Sequence, residues 1–197
     1  YPLNQSRLLR RRIVPARYDV AIRRTLDFDG PADSLTTLRA TSEKAAYSGT
    51  RSGMTDGRHR RSGAITYAPA IGPGTAKRSL INVTAMVWMQ SLRNATAQLV
   101  VVFQRNERPY SWQTLSVQDG ASRSRTWQLV QFTAFVPPQA RKGDRVSVYL
   151  ENRRSLVYVD DLVLQWITAI WPTPSSSAAR GITTGPYQHS REPATHH

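Results

Sequence analysis

The sequence predicts an all-β sandwich, on three observations. Between residues 18 and 167, nine or ten short runs rich in valine, threonine and aromatics recur at regular spacing. Turn-forming stretches separate them: RNA, RNERP, QDGAS, PPQARKGD and NRRS. No run in that span shows the apolar period of an amphipathic helix. Short strands in this number and spacing suit two stacked sheets with jelly-roll or Greek-key connections.

Residues 1–17 form a basic N-terminal arm with no sustained period, in which a short helix through Gln5–Arg12 is conceivable. YDVAIRRTLDF, from Tyr18, is the first strand candidate, and TTLRATSEK follows. The stretch YSGTRSGMTDGRHRRSG reads as a strand broken by loops, because glycine and serine interrupt it. AITYAPA is short and bounded by GPG. Then come SLINVTAMVWMQS, TAQLVVVFQR, YSWQTLSVQ, WQLVQFTAFVP, DRVSVYLEN and LVYVDDLVLQW. Two of these alternate cleanly. Val83, Ala85, Val87 and Met89 share one face, as do Val146, Val148 and Leu150, which leaves Arg145, Ser147, Tyr149 and Glu151 outward. Residues 168–197 are rich in Pro, Ser, Thr and Gly, the composition of a disordered tail that cannot bury a core of its own.

The 197 residues suffice for one domain with a core. Lys+Arg is 27 against 13 Asp+Glu, a net charge of +14, and nearly all the cations are arginine. The plain reading is genomic base composition; the functional one is a polyanionic or acidic partner. Arginines concentrate at Arg7, Arg10, Arg11, Arg12, Arg17, Arg23 and Arg24, and again at Arg51, Arg58, Arg60 and Arg61. No basic helix, zinc-ligand set or RNP-type motif accompanies them, so a dedicated nucleic-acid domain is not expected. The absence of cysteine removes disulfides, thiolate metal sites and cysteine nucleophiles. No run approaches the roughly 20 apolar residues of a membrane span. The start at Tyr1-Pro2, without an apolar leader, reads as a processed or trimmed chain.

Five segments in order resemble the carbohydrate-binding-module-like β-jelly rolls of bacterial extracytoplasmic proteins. LDFDG is similar to their "N-x-x-F-E" opening and TSEKAAYSGTRS to "S-E-x-A-x-S-G-x-x-S". LINVTAMVWMQS, TWQLVQFTAFVP and LVYVDDLVL resemble the later "Y-x-V-S-x-W-V", "x-W-x-x-V-x-F-x-F-x-x-P" and "x-V-Y-V-D-D-V-x-L" strands. The resemblance covers about residues 20–167 and implies neighbouring first and last strands with a structural calcium between them. Its implied ligands are Asp29 or Asp27, Ser48, Gly49, and Asp160 or Asp161, hard oxygens of the kind Ca²⁺ takes. The alternative is a polar clasp, in which one aspartate faces solvent and the other accepts backbone N–H groups or pairs with Arg23 or Arg24.

An enzyme is not expected. His59, His189, His196 and His197 lie in a loop and the tail, and no nucleophile elbow or phosphate loop is present. Glycan binding would use surface aromatics, with Trp88, Tyr110, Trp112, Tyr149 and Tyr158 as candidates; Tyr110 and Trp112 alternate about Ser111 and so share a face. The competing reading puts Trp88 and Trp127, and Trp112 as well, in the core. The expectation adopted is a single jelly-roll domain over 18–167 acting as a non-catalytic structural subunit. Its arm and tail would tether it in a larger assembly, periplasmic or extracellular and membrane-associated through its partners. Arg10, Arg11 and Arg12 would meet an acidic protein or anionic membrane surface, and Trp166 and Trp171 in WITAIWP would dock. Carbohydrate binding through the surface aromatics is the alternative.

Overall fold

The structure, a computed structural model, describes residues 17–30, 36–37, 40–72, 76–93 and 96–170. Residues 1–16 and 171–197, and with them Arg10, Arg11, Arg12 and Trp171, lie outside the described residues. Eleven strands are present among the described residues: β1 (Arg17–Leu26), β2 (Thr36–Thr37), β3 (Thr41–Ser42), β4 (Ser52–Thr55), β5 (Arg61–Tyr67), β6 (Ser79–Met89), β7 (Gln98–Arg105), β8 (Arg108–Ser116), β9 (Gln128–Phe135), β10 (Arg145–Glu151) and β11 (Val157–Ile170). One 3₁₀ turn (Ala76–Arg78) and one helical turn, α1 (Val117–Gly120), accompany them among the described residues.

All the pairings are antiparallel. The first sheet runs β3-β4-β11-β6-β9 with β1 also on β11, and the second β2-β5-β10-β7-β8. The fold is the all-β jelly-roll sandwich that the strand spacing predicts. Along one edge β11 serves two partners, β4 at Val157–Val159 and β1 at Leu162–Ile170, while its other edge pairs with β6.

The core follows from alternation. Val83, Ala85, Val87 and Met89 of β6 meet Leu99, Val101 and Phe103 of β7 and Val146, Val148 and Leu150 of β10 between the sheets. Each large apolar side chain buried there contributes roughly 1.5–3 kcal/mol. The edge strands β8 and β9 are tied across the sandwich. Gln113 Nε2 donates to the Phe135 carbonyl at 2.6 Å, and the Phe135 N–H donates to Gln113 Oε1 at 2.8 Å. This covers part of two edges that would otherwise offer free ladder groups.

Two tryptophans depart from expectation. Trp166 is 4% exposed, in the core, edge-on to Tyr67 with ring centroids 6.5 Å apart, so it is not a docking residue. Trp127 is half-buried and lies 6.0 Å from the exposed Tyr47 ring, outside the main core cluster.

A buried ion pair closes one end. Asp144 accepts from Arg105 Nε at 2.8 Å and Nη2 at 2.9 Å, from the Tyr110 hydroxyl at 2.7 Å and from the Arg141 N–H at 3.1 Å. The Arg105 hydrogen bonds hold its carboxyl down to about 2. A carboxyl depressed in the fold adds stability that is present above its unfolded value, near 4, and disappears as pH falls through about 2. The loss is about 2 kcal/mol. Thermal melts between pH 6 and pH 2 are expected to show an acid limb that Asp144→Asn flattens; an unchanged limb in that variant would remove this role.

Candidate functional site

The acidic pair sits where β11 passes from β4 to β1. Before it, Val157 and Val159 face the core; after it, Leu162, Leu164 and Trp166 do. Odd positions give way to even ones, which requires one extra residue. A bulge between Asp160 and Val163 supplies it, with Asp161 in the left-handed region at φ 46°. Aspartate tolerates that conformation, as few other residues do. Asp160 is therefore turned away from the core yet fully buried beneath the loop before β4.

That loop is built around the carboxylates. Asp160 Oδ2 accepts the Tyr47 N–H at 2.9 Å and the Ser48 N–H at 3.0 Å, and its Oδ1 accepts the Asp161 N–H at 2.8 Å. The Ser48 hydroxyl donates to Asp161 Oδ1 at 2.8 Å. Asp29, just past β1, accepts at Oδ1 from the Thr50 N–H and hydroxyl (2.9 and 2.8 Å) and the Arg51 N–H (2.8 Å). The Thr50 N–H lowers the Asp29 carboxyl below its ordinary value, whereas burial raises that of Asp160. Gly49 has φ 62°, and a Cβ there would stand 1.5 Å from Asp29 Oδ2, so both backbone and space demand glycine. Asp27 caps its own turn, accepting the Asp29 N–H at 3.2 Å. Five candidate residues, Asp29, Ser48, Gly49, Asp160 and Asp161, thus converge on one clasp among β1, β11 and the 45–51 loop, while Asp27 serves its own turn. The atoms aimed at Asp29 and Asp160 are N–H and O–H donors. A calcium ion needs six to eight oxygen ligands, and the described residues bring no group of three His, Asp or Glu together. As arranged, these residues fit the polar clasp rather than the cation.

The five aromatic candidates separate. Trp88 lies on the outer face of the first sheet, its ring 5.3 Å from that of Tyr158, its partner in register, and tilted 55° to it. Tyr110 does not share a face with Trp112. The β7–β8 ladder shifts register between Phe103 and Gln104, and this bulge at Tyr110 sends its ring onto Phe103 at 6.3 Å and its hydroxyl onto Asp144. Trp112 and Tyr149 do share one, the outer face of the second sheet. There Val102 lies beside Trp112, and Val100 beside Tyr149.

This outer face is a built surface. Val100, Val102 and Tyr149 form an apolar floor of their own, with Ala64 packed against it, separate from the main core. Tyr149 points outward as the alternation predicts, but the Arg61 guanidinium lies 5.0 Å above its ring and it is only 6% exposed. Trp112 is 56% exposed. Beside it runs a cleft of about 620 Å³ lined by Thr96, Gln98, Val100, Thr114, Glu151, Arg153 and Arg154.

The turn after β10 is held by Asn152, a buried side chain that reads in the sequence only as a turn residue. Its Oδ1 accepts the Thr96 hydroxyl at 3.0 Å and the Arg153 N–H at 2.9 Å, and its Nδ2 donates to the Ser155 carbonyl. Its N–H donates to the Arg60 carbonyl at 2.9 Å, joining this turn to the 56–60 loop.

No protein-family model and no curated protein matches the chain. Solved structures with a similar fold include carbohydrate-binding modules. A family 16 carbohydrate-binding module is 14% identical, covering 63% of this chain and 82% of its own, with a TM-score of 0.41. The CBM22-2 xylan-binding domain from Paenibacillus barcinonensis is 14% identical over 74% of this chain and 98% of its own, with a TM-score of 0.45. The C-terminal family 22 module of Clostridium thermocellum is 16% identical over 76% and 93%, with a TM-score of 0.44. The expectation of a tethered structural subunit is corrected here: these solved structures of similar fold are carbohydrate-binding modules, and Trp166, one of its docking residues, lies in the core.

Proposed function

We propose that the outer face of the second sheet binds a glycan chain without transforming it. The observation that carries this is Trp112, a large indole left 56% exposed at the rim of a cleft with an apolar floor and polar walls. A sugar ring offers one C–H face and a rim of hydroxyls. The first suits an aromatic plane, and the second suits Gln98, Thr96, Thr114 and Glu151. Glu151 is the single carboxylate among the cleft's lining residues, whereas hydrolysis of a glycosidic bond uses two. The role is therefore recognition.

We infer also that the acidic clasp stiffens the domain without a metal, since donors surround its carboxylates.

Affinity electrophoresis in gels cast with xylan, β-glucan, mannan or polygalacturonate tests the binding reading. Retardation in at least one gel, lost in Trp112→Ala, is the expected result. Equal mobility of the wild type in all of them, together with no sugar-dependent quenching of tryptophan fluorescence, would sink it.

A further inference from the structure

We propose that the polymer recognised here is acidic, carrying carboxylates or sulfate esters; this rests on the glycan-binding reading of the same face. The Trp112 cleft adjoins a second one of about 660 Å³. The two share Glu151 and Arg153 as walls. The second adds Arg58, His59, Arg60 and Arg61. Five arginines therefore border the two adjoining clefts, whose described lining residues include a single carboxylate.

Glu151 does not neutralise them. Arg61 and Arg153 approach it only at 3.9 and 3.8 Å, and their side chains stay 49% and 70% exposed. Such loose surface pairs leave the guanidinium forks available to an incoming anion.

The backbone that presents these arginines is fixed. Asp56 Oδ1 accepts the N–H groups of Arg58 and His59 at 2.8 and 2.6 Å, and the Asp56 N–H donates to the His59 carbonyl at 3.0 Å, so the 56–60 loop is a closed turn. Asn152 fixes the other turn and joins the two through the Arg60 carbonyl. An array of cations held at set spacing meets a ligand with charges at set spacing at little ordering cost. A uronate or sulfated chain is such a ligand, and Arg pairs with either group in bidentate fashion. Trp112, at one end of the array, supplies the stacking plane that an inorganic anion or a lone phosphate would not use.

The test measures dissociation constants of the full chain for polygalacturonate oligomers, sulfated dextran oligomers, neutral xylo-oligomers and a DNA duplex of matched charge. An acidic oligomer should bind about tenfold or more tighter than the neutral one, and the gap should shrink as salt rises through physiological strength. Arg153→Gln/Arg154→Gln should erase most of that gap, weakening the acidic oligomer more than the neutral one. Arg23→Gln/Arg24→Gln, an equal loss of charge on exposed β1 positions, should leave it intact. Binding of both acidic polymers, or of one of them, supports the proposal. Neutral and acidic chains bound equally, with both lost in Trp112→Ala, would overturn the proposal and leave the glycan reading standing. DNA bound as tightly as the acidic sugars, insensitive to Trp112→Ala, would overturn it in favour of a general polyanion surface. No binding to any sugar would take the glycan reading with it.

Discussion

Trp112→Ala should weaken glycan binding by about 30-fold or more, the cost of truncating a central aromatic anchor worth 2 kcal/mol or above. The same change should leave the melting temperature nearly where it was, because the indole is 56% exposed and supports no part of the main core. The two readouts must diverge. A matching drop in stability would mean that Trp112 roofs the Val100–Val102–Tyr149 floor and helps to hold the sheet rather than a ligand. Trp88→Ala provides the opposite pattern. It removes a ring packed at a tilt against Tyr158 on the other sheet, so stability should fall while sugar retention persists. Isothermal titration against whichever polymer retards the wild type, paired with thermal melts of both variants, checks the divergence.

Asp160→Ala should lower the unfolding free energy by about 3 kcal/mol, a fall of roughly 10 °C in melting temperature for a domain of this size. The carboxylate is fully buried and accepts three backbone N–H groups. Deleting it leaves these donors without their acceptor, and each costs about 1–3 kcal/mol unless the loop moves to solvent. Asp160→Asn should cost less, because the amide oxygen can keep the Tyr47 and Ser48 N–H groups and only the Asp161 N–H would confront an amide nitrogen. Asp161→Asn should be mild, since asparagine keeps the left-handed conformation and an acceptor for the Ser48 hydroxyl. Chelator should not shift the melting curve of the wild type. A fall of several degrees on chelation, restored by calcium, would show that the carboxylates hold an ion and that the N–H contacts are secondary.

Much of this architecture is legible in the residues. The β6 alternation places Val83, Ala85, Val87 and Met89 inward, as found. The convergence of Asp29, Ser48, Gly49, Asp160 and Asp161 also follows from the motif order. What is not legible turns on bulges. One residue inserted at Tyr110 sends it to the opposite face from Trp112. One inserted at Asp161 exchanges odd for even positions, so that Trp166 in the last run is buried rather than free to dock. Period-2 reasoning carries a face assignment only as far as the next register shift. Long-range polar support is equally silent in a single chain. Nothing about Asn152 announces that its carbonyl oxygen will take the Thr96 hydroxyl 56 positions away, or that Asp144 will draw Arg105 and Tyr110 together. Arg153 reads as a turn residue until the 56–60 loop is seen beside it.

The pairing of Arg17 with Ile170 has a mechanical meaning. The chain enters and leaves the sandwich at one corner, about 5 Å apart across a single ladder. Spliced between flanking segments, the domain would hang from them like a bead on a loop and add almost nothing to their contour length. Tension on those flanks would open the β1–β11 ladder from its end, one rung after another, instead of loading all its rungs together in shear. Such a geometry yields at low force and re-zips when the load is released, and an optical trap pulling on Arg17 and Ile170 would record it as a long, shallow rip.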